Sequence, residues 1–490
     1  MNRSIRFSII LILTLLFASI SCASEDVPKR ILRGNYQLVY NKLPKSVDNA
    51  ADMFKEGIFY GRLRFNSFLY NWEKENTTQN SHKAFGLGGS LIYKSATFEN
   101  FNFTTGLYYS QGFFDNGKDP VGLLKPAKDL VSRYDYLNNG DKSMAVLGQA
   151  YVSYMGIPKT GLHVGRQLVD TFYARANDTK MLPNTFDGVV VQTKIIPDTD
   201  VKVAYLTKEK LRDHTTSHSV LMYDDSDAAK HSSWNGNDDT VMHKGLSYTN
   251  LKAAGVSTDA PLITGDIRNK SFDNTVLSAS FYKVNELLSQ TMIEANYKIK
   301  LSNFDIIPGI RYIKQFDNGA GEIGGASYNG NLAGLSGANG GYKDASSLDS
   351  QMIAARLLAS YDNYRINIGY SNVLDEADLI TPWRGFPTVG YTRSMARYNW
   401  MANTKSYRIQ FAKGINSKGV YRDVFMLFSF LHTDADETKG YFDENFYYAG
   451  FVQNIPSMID LQWRLRFGYA DTKEIDADNL DARFEVNYLF

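Results

Sequence analysis

Arginines recur at two-residue spacing along this 490-residue chain, Arg62 with Arg64 near one end and Arg464 with Arg466 near the other. A guanidinium stays charged at any physiological pH and presents a planar fork of donors that matches a carboxylate, so a row of them recognises anions. Residues two apart in a strand share a face. Phe59, Leu63 and Phe65 stand opposite Arg62 and Arg64, while Leu461, Trp463, Leu465, Phe467 and Tyr469 stand opposite Asp460, Gln462, Arg464 and Arg466. Other alternating stretches put Arg311, Arg356, Arg365 and Arg408 in equivalent places, with Lys298 and Arg483, and few carboxylates, among them Glu294 and Glu485. Such a basic stripe would draw anions along the face. The plainer alternative is that the guanidiniums keep a wet wall solvated and pair with loop carboxylates.

The element that positions these rows is a strand with charge on one side and large aromatics on the other. A transmembrane β-barrel calls for that arrangement, lipid outside and water inside. Arg483 to Phe490 repeats the alternation and ends on an aromatic, which looks like the terminal signal by which bacterial outer-membrane barrels are recognised for insertion. Aromatics make up 13% of the chain, with 32 Tyr and 29 Phe, yet the mean hydropathy is negative. A helical membrane protein could not be that polar; a barrel can, because only every second residue meets lipid. The net charge of +1 argues against a nucleic-acid partner.

Arg3 and Arg6, an apolar run from Phe7 to Ile20, and small residues Ser21-Cys22-Ala23 have the layout of a secretory signal peptide spanning 1–23. Cleavage there removes Cys22, the sole cysteine, and excludes internal disulfides; acylation of Cys22 is the alternative. Residues 24–55 show no strand pattern, form a periplasmic segment and carry no evident chemistry, with a short amphipathic helix within Lys45 to Lys55. From 56 to 490 alternating strands are separated by connections of two kinds. Ser95 to Asn100, Met155 to Lys159, Ile195 to Asp200 and Asp362-Asn363 are short turns, whereas Gly112 to Lys142, Lys208 to Ala260, Asp317 to Leu348 and Asn372 to Thr404 are long. The expected fold is therefore all-β, an antiparallel up-and-down transmembrane barrel of about 18 strands, with short periplasmic turns and long extracellular loops.

A barrel of that size has a lumen too wide for wall side chains to fill. Val169 to Phe186, with Phe172, Tyr173, Arg175, Lys180 and Leu182, is too apolar for a solvated loop and is expected to fold inward. Ile380 to Met395 carries Trp383, Phe386 and Tyr391 beside Arg384 and Arg393, a mix suited to a constriction that binds carboxylates.

Met144-Ala-Val-Leu-Gly-Gln-Ala-Tyr-Val-Ser-Tyr154, then Gly161-Leu-His-Val-Gly-Arg-Gln167, then Met181-Leu-Pro-Asn-Thr-Phe-Asp-Gly188 resembles the third loop and its neighbours in OprD-type porins, the substrate-selective Occ channels. The resemblance implies an eighteen-stranded, monomeric or weakly homotrimeric outer-membrane channel narrowed by its third and seventh loops. It also implies passive uptake of small, often carboxylate-bearing solutes such as amino acids, peptides or organic acids. By the same resemblance Arg166, Arg175 and Lys180 are the third-loop site positions, Arg384 and Arg393 the seventh-loop ones, and the inward arginines a ladder. Strict alternation from Leu162 and Val164 points Arg166 outward, so a bulge near Gly165 is needed to bring it into the lumen. The partners implied are outer-membrane lipid, lipopolysaccharide and small solutes; no cofactor is implied.

Other classes would leave different marks in the sequence. An outer-membrane barrel enzyme needs a Ser-His pair; among 7 His no pairing with Ser on adjacent strands is evident, and Gly-x-Ser-x-Gly is missing. His214 and His218, with His231, Asp224, Asp225 and Asp227, read as solvated loop polarity rather than a metal site, because that spacing would meet only on a helix. An adhesin or structural barrel would use exposed loops such as Gly319 to Gly341. An energised transporter would need a plug domain larger than Ser24 to Lys55.

Overall fold

The computed structural model describes residues 29–77, 79–114, 124–221, 246, 248–323, 341–417 and 419–490. The signal-peptide segment, His231, Asp224, Asp225, Asp227 and most of Gly319 to Gly341 lie outside them.

Eighteen strands close into one antiparallel barrel: β1 Ile58–Trp72, β2 His82–Lys94, β3 Phe101–Phe114, β4 Ser143–Tyr154, β5 Thr160–Gln167, β6 Thr185–Thr193, β7 Thr199–Lys210, β8 Leu262–Asn269 and β9 Thr275–Val284 make one half. The other half is β10 Leu288–Tyr297, β11 Asp305–Asp317, β12 Ser350–Tyr361, β13 Tyr364–Val373, β14 Thr404–Lys413, β15 Phe425–Asp434, β16 Glu444–Ile455, β17 Met458–Thr472 and β18 Asn479–Leu489. Each strand pairs with its sequence neighbour, and β18 closes on β1 from Leu489↔Arg62 to Asn479↔Trp72. Two further backbone bonds join Gly61 and Phe490, at 2.9 and 3.0 Å.

The two faces separate as period two requires. On β17 Phe467 and Tyr469 are exposed outward while Gln462 and Arg464 are buried inward, and the outward row continues around the wall through Ile293, Ile310, Ile368, Tyr407 and Tyr447. Among the described residues no helix is long and apolar enough to cross a membrane; the strands are the crossing elements. One rim carries the short turns, such as 155–159 and 362–363, and the other the long connections 168–184, 211–261, 318–349 and 374–403.

The N-terminal segment departs from expectation. Arg30–Leu32 pairs with Leu38–Tyr40 as a two-stranded ribbon, which alternation could not reveal in strands of three residues. Helix α1, Ala50–Lys55, follows, with the Asn49 side chain accepting from the Asp52 amide at 2.9 Å.

Connections 168–184 and 374–403 fold into the lumen and, with the described parts of 211–261 and 318–349, bury an apolar cluster that includes Tyr173, Tyr282, Leu379, Ile380, Trp383 and Trp400. Tyr173 meets Tyr282 edge-on at 4.9 Å, and Tyr282 meets Trp383 at the same distance. Two of the polar ends are satisfied, with Tyr282 Oη donating to the Ile380 carbonyl and Trp383 Nε1 to the Val220 carbonyl, each at 2.6 Å, while the Tyr173 hydroxyl and the Trp400 indole N–H have no hydrogen-bond partner among the described residues. Loop 168–184 and loop 374–403 thus supply, with parts of the neighbouring connections, the filling that the wide wall cannot.

Candidate functional site

The registers of β17, β18 and β1 stack the inward side chains in layers. Arg466, Arg483 and Phe68 form one, Arg464, Glu485 and Asn66 the next, and Gln462, Asn487 and Arg64 the third. Arg464 donates to Glu485 at 2.5 Å, and Arg483 Nε to Asp481 at 2.8 Å. Arg466 faces Arg483 directly, like charge against like, and among the described residues it has no hydrogen-bond acceptor or carboxylate partner. Such an arrangement is unfavourable unless something anionic joins it.

Below this layer the arginines hold loop 168–184. Arg62 and Arg64 both bind the Asp178 carboxylate, Arg64 at 3.0 Å, and Arg64 also reaches the Asp178 carbonyl at 2.8 Å. Asn66 donates to the Lys180 carbonyl at 2.9 Å. Lys180 in turn binds Asp129 at 2.8 Å, a carboxylate it shares with Arg212 at 3.1 Å. All of these side chains are buried.

Across the lumen, a second set of arginines grips loop 374–403 by its carbonyls. Arg311 binds Glu294 at 2.7 Å and donates to the Pro387 and Val389 carbonyls at 2.6 and 2.8 Å. Arg356 donates to Gly390, joined by Asn367 at 3.1 Å, and Arg408 donates to the Arg393 carbonyl. The Tyr391 ring lies beneath Arg311 and Arg356, at 4.5 and 5.0 Å. Arg175 is held by the Thr171 carbonyl at 3.0 Å.

Between the two loops and the β17–β18 wall lies a cavity of about 620 Å3. Its lining is strongly cationic: Lys125, Lys128, Lys180, Arg212, Arg384, Arg393, Arg397, Arg466 and Arg483, against Glu444, Glu474 and Asp481. Phe386 and Tyr398 add aromatic walls, and the Arg393 guanidinium stacks on both, at 4.4 and 5.4 Å.

Of the positions singled out in the sequence, Lys180, Arg384, Arg393, Arg466 and Arg483 line this cavity. Arg62, Arg64, Arg311, Arg356 and Arg408 are loop clamps, and Arg464 is paired within the wall. Arg365 stands exposed at the short-turn mouth, away from the constriction.

Arg166 requires correction. No register shift occurs between β4 and β5 at Gly165, so Arg166 stays in the outward register of Val164, opposite Ala150 and Asp187. It binds Asp187 at 2.7 Å and Ser217 at 2.7 Å. His214 and His218 also differ from expectation: both are buried and bonded ring to ring at 2.8 Å, brought together by a back-folded chain in which His218 bridges Glu209. Among the described residues no group of acids, His or Cys suits a metal. A Ser-His pair does exist on adjacent strands, Ser153 Oγ and His163 Nδ1 at 2.8 Å. Lys94 and Lys202 are its charged neighbours, and among the described residues no carboxylate orients the ring.

Residues not foreseen include Asp178, Arg397 and Arg212. Asp178 is the sole carboxylate within Thr171 to Phe186, a signal that an inward loop of that composition offers for meeting wall arginines. Arg397 binds Glu444 at 3.0 Å beside Phe446.

A closed barrel with an apolar exterior and a polar, loop-narrowed lumen defines a membrane channel of the porin class. The sequence profile of the OprD family, outer membrane porins, matches residues 147–420. The chain therefore belongs to the OprD family of outer-membrane porins. Its fold is similar to that of OccAB1 of Acinetobacter baumannii (13% identity over 90% of this chain and 98% of that one, TM-score 0.66). It also resembles a BenF-like porin of Pseudomonas fluorescens (11%, 89% and 99%, TM-score 0.64). OpdK of Pseudomonas aeruginosa, solved with vanillate, is similar at 12% identity over 89% and 99%, with a TM-score of 0.61. Among curated proteins no sequence match is found.

Proposed function

We propose that this porin passes small anionic solutes, carboxylates above all, through the cavity between its inward loops and the β17–β18 wall. The observation that carries this is Arg466, a wall guanidinium without a carboxylate partner among the described residues, set directly opposite Arg483. Nine cationic side chains against three acidic ones around that cavity support the same reading, since a channel selects by what lines it. Phe386 and Tyr398 would flank the carbon skeleton while the guanidiniums take the carboxylate. Passage is by diffusion and leaves the solute unchanged.

The test is the reversal potential of the purified protein in a planar bilayer under a salt gradient, with liposome swelling on a panel of amino acids, dicarboxylates and neutral sugars. The parent is expected to prefer anions and Arg466→Gln to lose much of that preference, with conductance retained. Equal permeability of cations and anions in the parent, or swelling as fast with sugars as with carboxylates, would overturn the reading.

A further inference from the structure

The N-terminal ribbon does not hang below the barrel; its contacts carry it into the lumen. Arg30 binds Asp460 at 3.0 Å beside the β16–β17 turn. Ile31 packs so closely on Gly419 that a Cβ there would stand 2.6 Å from its side chain. These two anchors lie at the short-turn mouth. Tyr40 and Tyr60 add a ring contact at 5.4 Å on the inner side of β1.

The tip, Arg33 to Gln37, points further in. Arg62 donates to the Tyr36 carbonyl at 3.0 Å, and the Arg464 guanidinium sits 3.6 Å above the Tyr36 ring. Asn35 donates to Asp170, at the start of loop 168–184, at 2.9 Å. Adjacent tip residues thus touch the wall on one side and the inward loop on the other. The tip is held in a conformation that side chains seldom adopt: Asn35 and Tyr36 both have positive φ, 61° and 59°. Such backbone persists only when its surroundings fix it, and here the surroundings are lumen groups. Tyr36 remains half-buried, with Arg464 on its ring and the apolar cluster of Leu32, Leu38 and Tyr60 packed beside it.

We propose that Tyr36, delivered by this ribbon, is a selectivity-determining residue at the exit of the channel, a size barrier placed between the Arg464 layer and the inward loop. A solute leaving the cationic cavity meets an aromatic ring backed by guanidinium. The ring excludes bulk, and the Arg464 charge behind it is already engaged by Glu485, so the barrier acts mainly by size. This rests on the chain being an open diffusion channel.

Single-channel recording tests it with three variants in a Cys22→Ser background. Replacing residues 30–40 by a glycine-serine linker of equal length is expected to raise unitary conductance by roughly twofold or more, and to admit larger solutes in liposome swelling. Tyr36→Ala should give a smaller rise in both. Joining Asn35→Cys to Asp170→Cys with a short bifunctional thiol reagent should leave the parent conductance in place, because it fixes the tip where it already sits. Conductance unchanged in the linker variant and in Tyr36→Ala, with folding verified by heat-modifiable mobility, would overturn the proposal. So would a bridged variant conducting far less than the parent. A parent that conducts nothing would instead overturn the channel reading itself.

Discussion

Ala174 and Arg384 pair as an antiparallel bridge in the middle of the lumen, and beside them the Arg175 amide donates to the Trp383 carbonyl at 2.9 Å. The loops that carry them leave the wall eight strands apart, one before β6 and the other before β14. Backbone pairing across that distance turns two loops into a single partition. The space left to a solute lies to one side of it.

At Gly385 the two loops come into close backbone approach. A Cβ at this position would collide with the Tyr173 backbone, so Gly385→Ala must push the loops apart at a cost of about 1–3 kcal/mol. A larger or noisier unitary conductance and a lower unfolding temperature in detergent are expected. No change in either measurement would show that the partition yields there freely.

Asp178 is shared by Arg62 and Arg64 in a buried cluster. Removing one partner of such a cluster leaves buried charge uncompensated and costs about 3–5 kcal/mol. Asp178→Asn is therefore expected to free loop 168–184 from the β1 wall, which thermal denaturation and protease sensitivity of that loop would report. Asp178→Glu should recover part of the loss.

Trp383 is fully buried where the inward loop meets Tyr282. Trp383→Ala is expected to destabilise by about 3–5 kcal/mol. Because the barrel ladder does not depend on this residue, strand content by circular dichroism should survive at room temperature while channel currents lose their steady level.

Asp436 anchors the connection between β15 and β16 at the long-loop rim. Burial works to raise its pKa, but hydrogen bonds from Thr438, Asn403 and Lys439 outweigh it and hold the carboxyl well below the usual carboxylate range. Its folded pKa lies below the unfolded one, so its contribution is complete above the ordinary Asp value of about 4 and is lost as pH falls through the depressed value. Hydrogen-exchange protection of residues 435–443, taken relative to the intrinsic rate at each pH, should be high at neutral pH and fall in acid. Asp436→Asn should show fast exchange at neutral pH as well.

The wall was legible because lipid and water on its two sides impose a period of two, as Phe467 beside Arg466 shows. The inward loops were legible from misplaced aromatics such as Trp383. The partners of individual arginines were not. Arg64 finds Asp178 across 114 positions of sequence, and only the closed barrel brings them together. Arg166 and Asp187 were hidden for the opposite reason: each is a charge in an outward row, tolerated because it neutralises the other. The ribbon escaped notice because three-residue strands give no periodicity, although Ile31, Leu32 and Leu38 beside Gly34-Asn35 mark an apolar pair around a turn.

The seam between β1 and β18 makes the cylinder the product of its earliest and latest strands. Until β18 has been delivered, β1 and β17 each present an unpaired row of amides and carbonyls, and no neighbour within the chain can cover them. Closure of the cylinder must therefore wait for β18. The layer of Arg466, Arg483 and Phe68 is completed only when that seam closes, because it takes one side chain from each of β17, β18 and β1.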